Sequence, residues 1–186
     1  MRGHGDLQAV GETRDDAAGE AFDKVARLLE LGYPGGPTIA KAALKGDSKK
    51  YKLPRAYLEK GSLDFSFSGL KTAVLDLVKK QPALTPEFVN DCAASFQEAV
   101  CEVLSDKVLM AIDKYRPFEV HLAGGVSANT RLREIMKEKI GNKVVFRYPL
   151  ELSHCTDNAA MVAACGYFTY QNKGAEVTNV IPEANF

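Results

Sequence analysis

The sequence predicts an α/β domain in which several helices stack beside a small sheet. Two observations carry this reading. Segments of period 2 alternate along the chain with segments of period 3.6, the order of a layered α/β fold. The run "FEVHLAGGVSANTRLREIMKEKIGNKVVFRY" at 118–148 reads as strand, glycine turn, helix and strand in succession. The folded part is expected to span residues 1–172, with 173–186 as a surface tail.

"GDLQAVGET" has the form of a strand end entering a turn, without an obvious hairpin partner. Thr13 is placed to cap a helix whose first turn carries Asp15 and Asp16. Ala18, Phe22, Val25 and Leu29 make its apolar stripe, and Gly32 is expected to end it. "YPGGP" is a turn, and Pro37 suits the first turn of a short second helix. Residues 45–55 form a polar, lysine-rich loop. "LDFSFSG" alternates as a half-buried strand, and Ser68 is placed to cap the helix "GLKTAVLDLVKK". Thr85-Pro86-Glu87 opens a long helix expected to reach Tyr115. After strand, turn, helix and strand, Thr156 is expected to start the last helix, through about Gln171.

The formal net charge is zero, so the chain is not a broadly basic nucleic-acid binder, and any such contact must come from a local patch. Hydrophobic residues make up 46%, enough for a core. No segment approaches a membrane span, and the first residues lack the form of a secretory leader. Cys92, Cys101, Cys155 and Cys165 include no C-x-x-C pair. Cys92, Cys101 and Cys165 read as buried thiols of a reducing compartment, which points to the cytoplasm.

Three places hold chemistry. At Gly124-Gly125 a strand meets a helix, so backbone can approach a ligand closely, and Ser127 or Asn129 can cap the helix or bond that ligand. The alternative is a plain tight turn; neither a dinucleotide fingerprint nor a P-loop is present. In the first helix Asp16, Glu20, Asp23 and Arg27 follow at helical spacing. They read as a solvated face with Glu20–Lys24 and Asp23–Arg27 pairs, or as a carboxylate for ribose hydroxyls beside "YPGGP". Gly19 inside that helix hints at a close approach. In "SHCTDNAAM" at 153–161, Asp157 either satisfies backbone donors or is one metal ligand, with His154 and Cys155 nearby. A metal needs three or four protein ligands, and no H-x-x-x-H occurs.

Taken together, "GETRDDAAGEAFDKVARLLELGYPGGP", "FSFSGLKTAV", "AGGVSANTRLR" and "CTDNAAMVAACGY" resemble, in order and spacing, the tRNA N6-adenosine threonylcarbamoyltransferase catalytic subunits, the TsaD/Gcp family once named O-sialoglycoprotein endopeptidase. The resemblance implies an actin/Hsp70/sugar-kinase-like fold, of which this chain corresponds mainly to the carboxyl-terminal, ribonuclease-H-like lobe. It implies transfer of threonylcarbamoyl from threonylcarbamoyl-adenylate to an adenosine beside the tRNA anticodon. It further implies that Asp23 contacts the nucleotide sugar, Gly36 lines the same site, Asn129 adds a nucleotide contact and Asp157 ligates an iron or zinc ion. Cys155 would be structural. Family members begin about half a chain earlier, with the H-x-x-x-H ligands and an "SGGHT"-type phosphate loop. The chain is therefore expected to be a fragment: inactive alone, prone to self-association, and dependent in full-length form on tRNA and partner proteins. Competing readings are a metal-dependent glycoprotein endopeptidase, which lacks H-E-x-x-H or a nucleophile–base pair here, and a non-catalytic scaffold subunit that binds no nucleotide.

Overall fold

A computed structural model describes residue 1 and residues 3–174. The helices are α1 (Ala18–Leu28), α2 (Gly35–Ala43), α3 (Ser68–Lys79), α4 (Pro86–Tyr115), α5 (Thr130–Ile140) and α6 (Ala159–Lys173). The strands are β1 (Glu119–His121) and β2 (Val145–Arg147), and single 3-10 turns occupy Gly125–Ala128 and Leu152–His154. The chain divides into two compact units: Val10–Thr156, and Met1–Ala9 with Asp157–Phe186.

Within the larger unit α4 is the central element. Thr85 accepts from the Phe88 N–H at 3.2 Å and Pro86 occupies the first turn, as the sequence predicts. Thirty residues extend about 45 Å, so one helix serves two cores. The first joins Phe22, Val25 and Leu29 of α1, Ile39 of α2, Val74 of α3 and Phe88, Cys92 and Phe96 of α4. Phe22 and Phe96 meet edge to face, with centroids 5.2 Å apart. Each such buried side chain contributes roughly 1.5–3 kcal/mol. The second core sets Leu132, Ile135, Met136 and Ile140 of α5 against Cys101 and Ile112 of α4, roofed by Val120 and Phe146 from the strands.

The two strands are parallel, pairing Glu119 with Val145, Val120 with Phe146 and His121 with Arg147. The 3-10 turn and α5 form the crossover that a parallel pair requires. The centre of each strand faces the core, while its flanking residues are exposed.

Three expected helix starts differ from the structure. Glu12 and Arg14 exchange backbone bonds with Phe65, so Thr13 is held extended in an isolated parallel bridge and α1 begins only at Ala18. That bridge is all that forms of the predicted "LDFSFSG" strand, although Leu63 and Phe67 are buried as its alternation requires. Ser68 is the first residue of α3 rather than its cap. The carboxylate of Asp15, a better acceptor than a hydroxyl, takes the N–H groups of Phe67 (2.8 Å) and Ser68 (3.4 Å) and the Ser66 hydroxyl. At α6 the cap is Asn158, which accepts from the Met161 N–H at 3.1 Å; Asp157 therefore stands outside the helix instead of in its first turn. Helix α1 also ends at Leu28, before Gly32.

In the smaller unit, residues 3–6 make a tight turn closed by an isolated antiparallel bridge between Gly3 and Asp6. His4 stacks on Phe168 of α6 with centroids 3.5 Å apart, and its carbonyl accepts from Asn172 at 2.7 Å. Among the described residues of α6 none is buried, so Cys165 is exposed, against the expectation of a buried thiol. Cys92 and Cys101 are buried as expected. Residues 175–186, most of the expected tail, lie outside the described residues.

Candidate nucleotide site

Asp23 sits beside Phe22 on α1, at the edge of the buried face. Its Oδ1 accepts the Gly35 N–H at 2.7 Å. Gly35 is the first residue of α2, so Asp23 acts as a cap reaching across twelve residues. A Cβ on Gly35 would stand 2.5 Å from the Asp23 Cα and 2.6 Å from the Phe22 carbonyl, so only glycine admits this approach. Gly36, the glycine expected to line the site, has open space where a Cβ would project. The expected Asp23–Arg27 pair is replaced by this bond, whereas Glu20–Lys24 forms at 2.7 Å. Asp23 Oδ2 accepts no hydrogen bond among the described residues, and that oxygen is available to a ligand hydroxyl.

Asp16 is not part of a solvated face. It is buried between Lys24, at 2.8 Å, and Lys71 of α3. The two ammonium groups offset the cost of burying the carboxylate.

The turn after β1 lies against the same helix. A Cβ on Gly19 would meet the Val126 side chain at 3.6 Å, an ordinary contact distance, so among the described residues nothing approaches closely enough to require glycine there, against the expectation. Gly19 is one helical turn from Asp23, which puts the carboxylate's helix face and the glycine turn side by side. Gly124 has φ 81°, and its carbonyl accepts the Ser127 N–H at 2.9 Å. Gly125, exposed, opens the 3-10 turn.

Asn129 caps α5 by accepting from the Leu132 N–H at 3.0 Å, and its Nδ2 donates to Gln97 of α4 at 2.8 Å. Its amide is thereby committed to joining α5 to α4. Ser127 is fully buried, and its hydroxyl has no partner among the described residues. Arg133 also meets this turn. Its guanidinium donates to the carbonyls of Ser127 and Pro149 and to the Cys155 sulfur, and it lies 4.7 Å from the Tyr148 ring centroid. It thus ties the glycine turn to the segment after β2. Cys155 is buried in that network, in keeping with a structural role. An arginine at the fourth position of a helix carries no sequence signal that it points back to its own cap.

The buried thiols are unsuited to nucleophilic work. Burial pushes Cys92 up to about 12 and Cys101 higher still, so neither holds appreciable thiolate at neutral pH.

Asp157, in the smaller unit, and His154, in the larger, are each exposed in their own surroundings. No group of three or more His, Cys, Asp and Glu residues that could hold an ion occurs among the described residues. Iron or zinc needs three or four protein ligands, so the residues present do not make that centre.

The family model described as TsaD, tRNA N6-adenosine threonylcarbamoyltransferase, matches residues 1–164. Curated proteins of that name are similar over most of the chain. One from Desulfitobacterium hafniense is 54% identical over 176 residues, covering 93% of this chain and 51% of its own. One from Syntrophomonas wolfei is 48% identical, covering 90% and 49%. One from Clostridium beijerinckii is 44% identical, covering 100% and 55%. The chain spans about half the length of the curated relatives it matches.

Proposed function

The chain belongs to the TsaD family of tRNA N6-adenosine threonylcarbamoyltransferases, and from that premise we propose that it supplies the nucleotide-sugar part of a threonylcarbamoyl-adenylate site in a tRNA-modifying acyltransferase. The single observation that carries this is the Asp23–Gly35 bond. It fixes a carboxylate on rigid backbone with one oxygen occupied and the other available to ribose hydroxyls. Gly36 adds open backbone beside it, and Gly124 and Gly125 leave room for a ligand at the neighbouring turn. Asn129 acts chiefly by holding that turn against α4.

In the whole protein the transferred carbonyl passes from the adenylate phosphate oxygen to N6 of an adenosine next to the tRNA anticodon, releasing AMP. We assign these residues to the carboxyl-terminal lobe of an actin/Hsp70-like fold. Asp157 is assigned as one ligand of an iron or zinc ion completed by residues outside this chain, with partner proteins and the cytoplasm as the working context. Among the described residues no helix is long and apolar enough to cross a membrane.

Calorimetric titration of this chain with a non-hydrolysable threonylcarbamoyl-adenylate analogue tests the site. Binding that Asp23→Ala weakens about tenfold, in line with loss of a charged hydrogen bond, is the expected result. Equal affinity in the variant would refute the assignment. Transfer to tRNA is read separately by mass spectrometry of the nucleosides; the family reaction with no transfer by a protein of the relatives' full length would refute the activity.

A further inference from the structure

We propose that the lysine-rich loop of residues 45–55 is a contact surface for the phosphate backbone of the tRNA substrate; this rests on the tRNA-modifying reading above. The loop takes no part in the nucleotide site. Lys45, Lys49, Lys50 and Lys52 are all exposed, and none has an ion-pair partner among the described residues. Asp47 is the only carboxylate between 41 and 52, and it is turned back to accept the Lys49 N–H at 2.9 Å.

A plain solvated charge run needs no fixed conformation. This one is anchored at several points along α4. The Asp47 N–H donates to the buried carboxylate of Asp91 at 2.8 Å. Ser95, fully buried, donates to the Asp47 carbonyl at 3.3 Å and accepts the Tyr51 N–H at 3.2 Å. Gly46 lies so close to α4 that a Cβ would stand 2.0 Å from the Asn90 carbonyl. Tyr51 packs edge to face on Phe88, and Leu53 is buried. Buried Asp and Ser on a core-facing helix cost stability unless bonded, and here their bonds go to the backbone of this loop. The result is a fixed backbone that presents four like charges, whose mutual repulsion is relieved by a polyanion. Lysine binds phosphate as a point charge. In a chain of zero net charge such a patch concentrates the attraction in one place.

The test is fluorescence anisotropy of labelled tRNA with this chain across a KCl series. Its triple variant Lys49→Gln, Lys50→Gln, Lys52→Gln should lose at least about tenfold in affinity at low salt. Its plot of log K against log salt should be shallower by about 0.7–0.9 for each lysine that contacts a phosphate. A Lys79→Gln, Lys80→Gln control should match wild type. Ser95→Ala, which frees the loop without touching a charge, should weaken binding with the slope unchanged. Equal slopes for wild type and triple variant, absence of tRNA binding by wild type, or tighter loop-dependent binding to phosphatidylserine vesicles than to tRNA would each overturn the proposal. Because binding is read without chemistry, a failed transfer assay alongside loop-dependent binding refutes the reaction and supports the loop.

Discussion

The Asp23 carboxylate accepts the backbone N–H of Gly35 at 2.7 Å, and the missing side chain of Gly35 is what lets the two approach. One contact therefore caps α2, locks the turn before it and orients the carboxylate. Gly35→Ala should destabilise the chain by about 1–3 kcal/mol or prevent folding, the range for overpacking against fixed backbone. Gly36→Ala should leave stability within about 0.5 kcal/mol, since its Cβ would enter open space. Urea unfolding followed by circular dichroism measures both; equal effects at the two glycines would contradict the assigned geometry.

Asn129 and Ser127 should separate in the same measurement. Asn129→Ala removes the α5 cap and leaves Gln97 unpaired, with an expected loss of about 1–2 kcal/mol. Ser127→Ala removes a buried hydroxyl without a partner among the described residues, so it should be neutral or slightly stabilising. A Ser127→Ala variant as unstable as Asn129→Ala would mean the hydroxyl is bonded after all.

Asp15 sets a pH dependence. Burial alone would raise its pKa, but the Phe67 and Ser68 N–H groups and the Ser66 and Ser68 hydroxyls bring it down from 3.8 to about 2. The folded state thus favours the carboxylate. Its contribution is complete above the ordinary value of 3.8 and is lost as pH falls towards 2. Asp15 is exposed, so solvent screening keeps the effect modest. Glu119, held down to about 2 by Arg147 and then His121, titrates over the same interval. Denaturation midpoints between pH 5 and 2 should therefore fall less steeply in Asp15→Asn than in wild type. Parallel curves would remove Asp15 as the cap of α3.

Apolar side chains stand exposed in each unit: Phe118, Leu150 and Leu152 in the larger, Val162, Tyr167 and Tyr170 in the smaller. Exposed apolar surface of this kind recruits a second surface. Sedimentation velocity over a concentration series should show reversible self-association of the chain. A monomer at every concentration would count against it, and Phe118→Ser should reduce the association.

Local signals were enough to locate α4, α5 and both strands. Thr85-Pro86 is a complete start signal, and the alternation around Val120 and Phe146 is matched by their inward faces. The order of the quoted motifs likewise carried the family. What the sequence left open were the contacts made between distant segments. The caps misplaced at Thr13 and Ser68 have the right residue types, but pairing of residues 12–14 with Phe65 and the reach of Asp15 to α3 overrode them. The stripe of Asp16, Glu20 and Asp23 looks uniform as a string. Packing buries Asp16 between two lysines, turns Asp23 to Gly35 and leaves Glu20 in solvent. Arg133 shows the same limit from the other side, since a surface-type residue is drawn inward by carbonyls freed at a turn. Helical and strand periodicity depends on neighbours a few residues away, so it is written in the chain itself. Which carboxylate is buried, which glycine is indispensable and which amide is already committed depend on partners twelve to fifty residues off, and only the tertiary structure decides them.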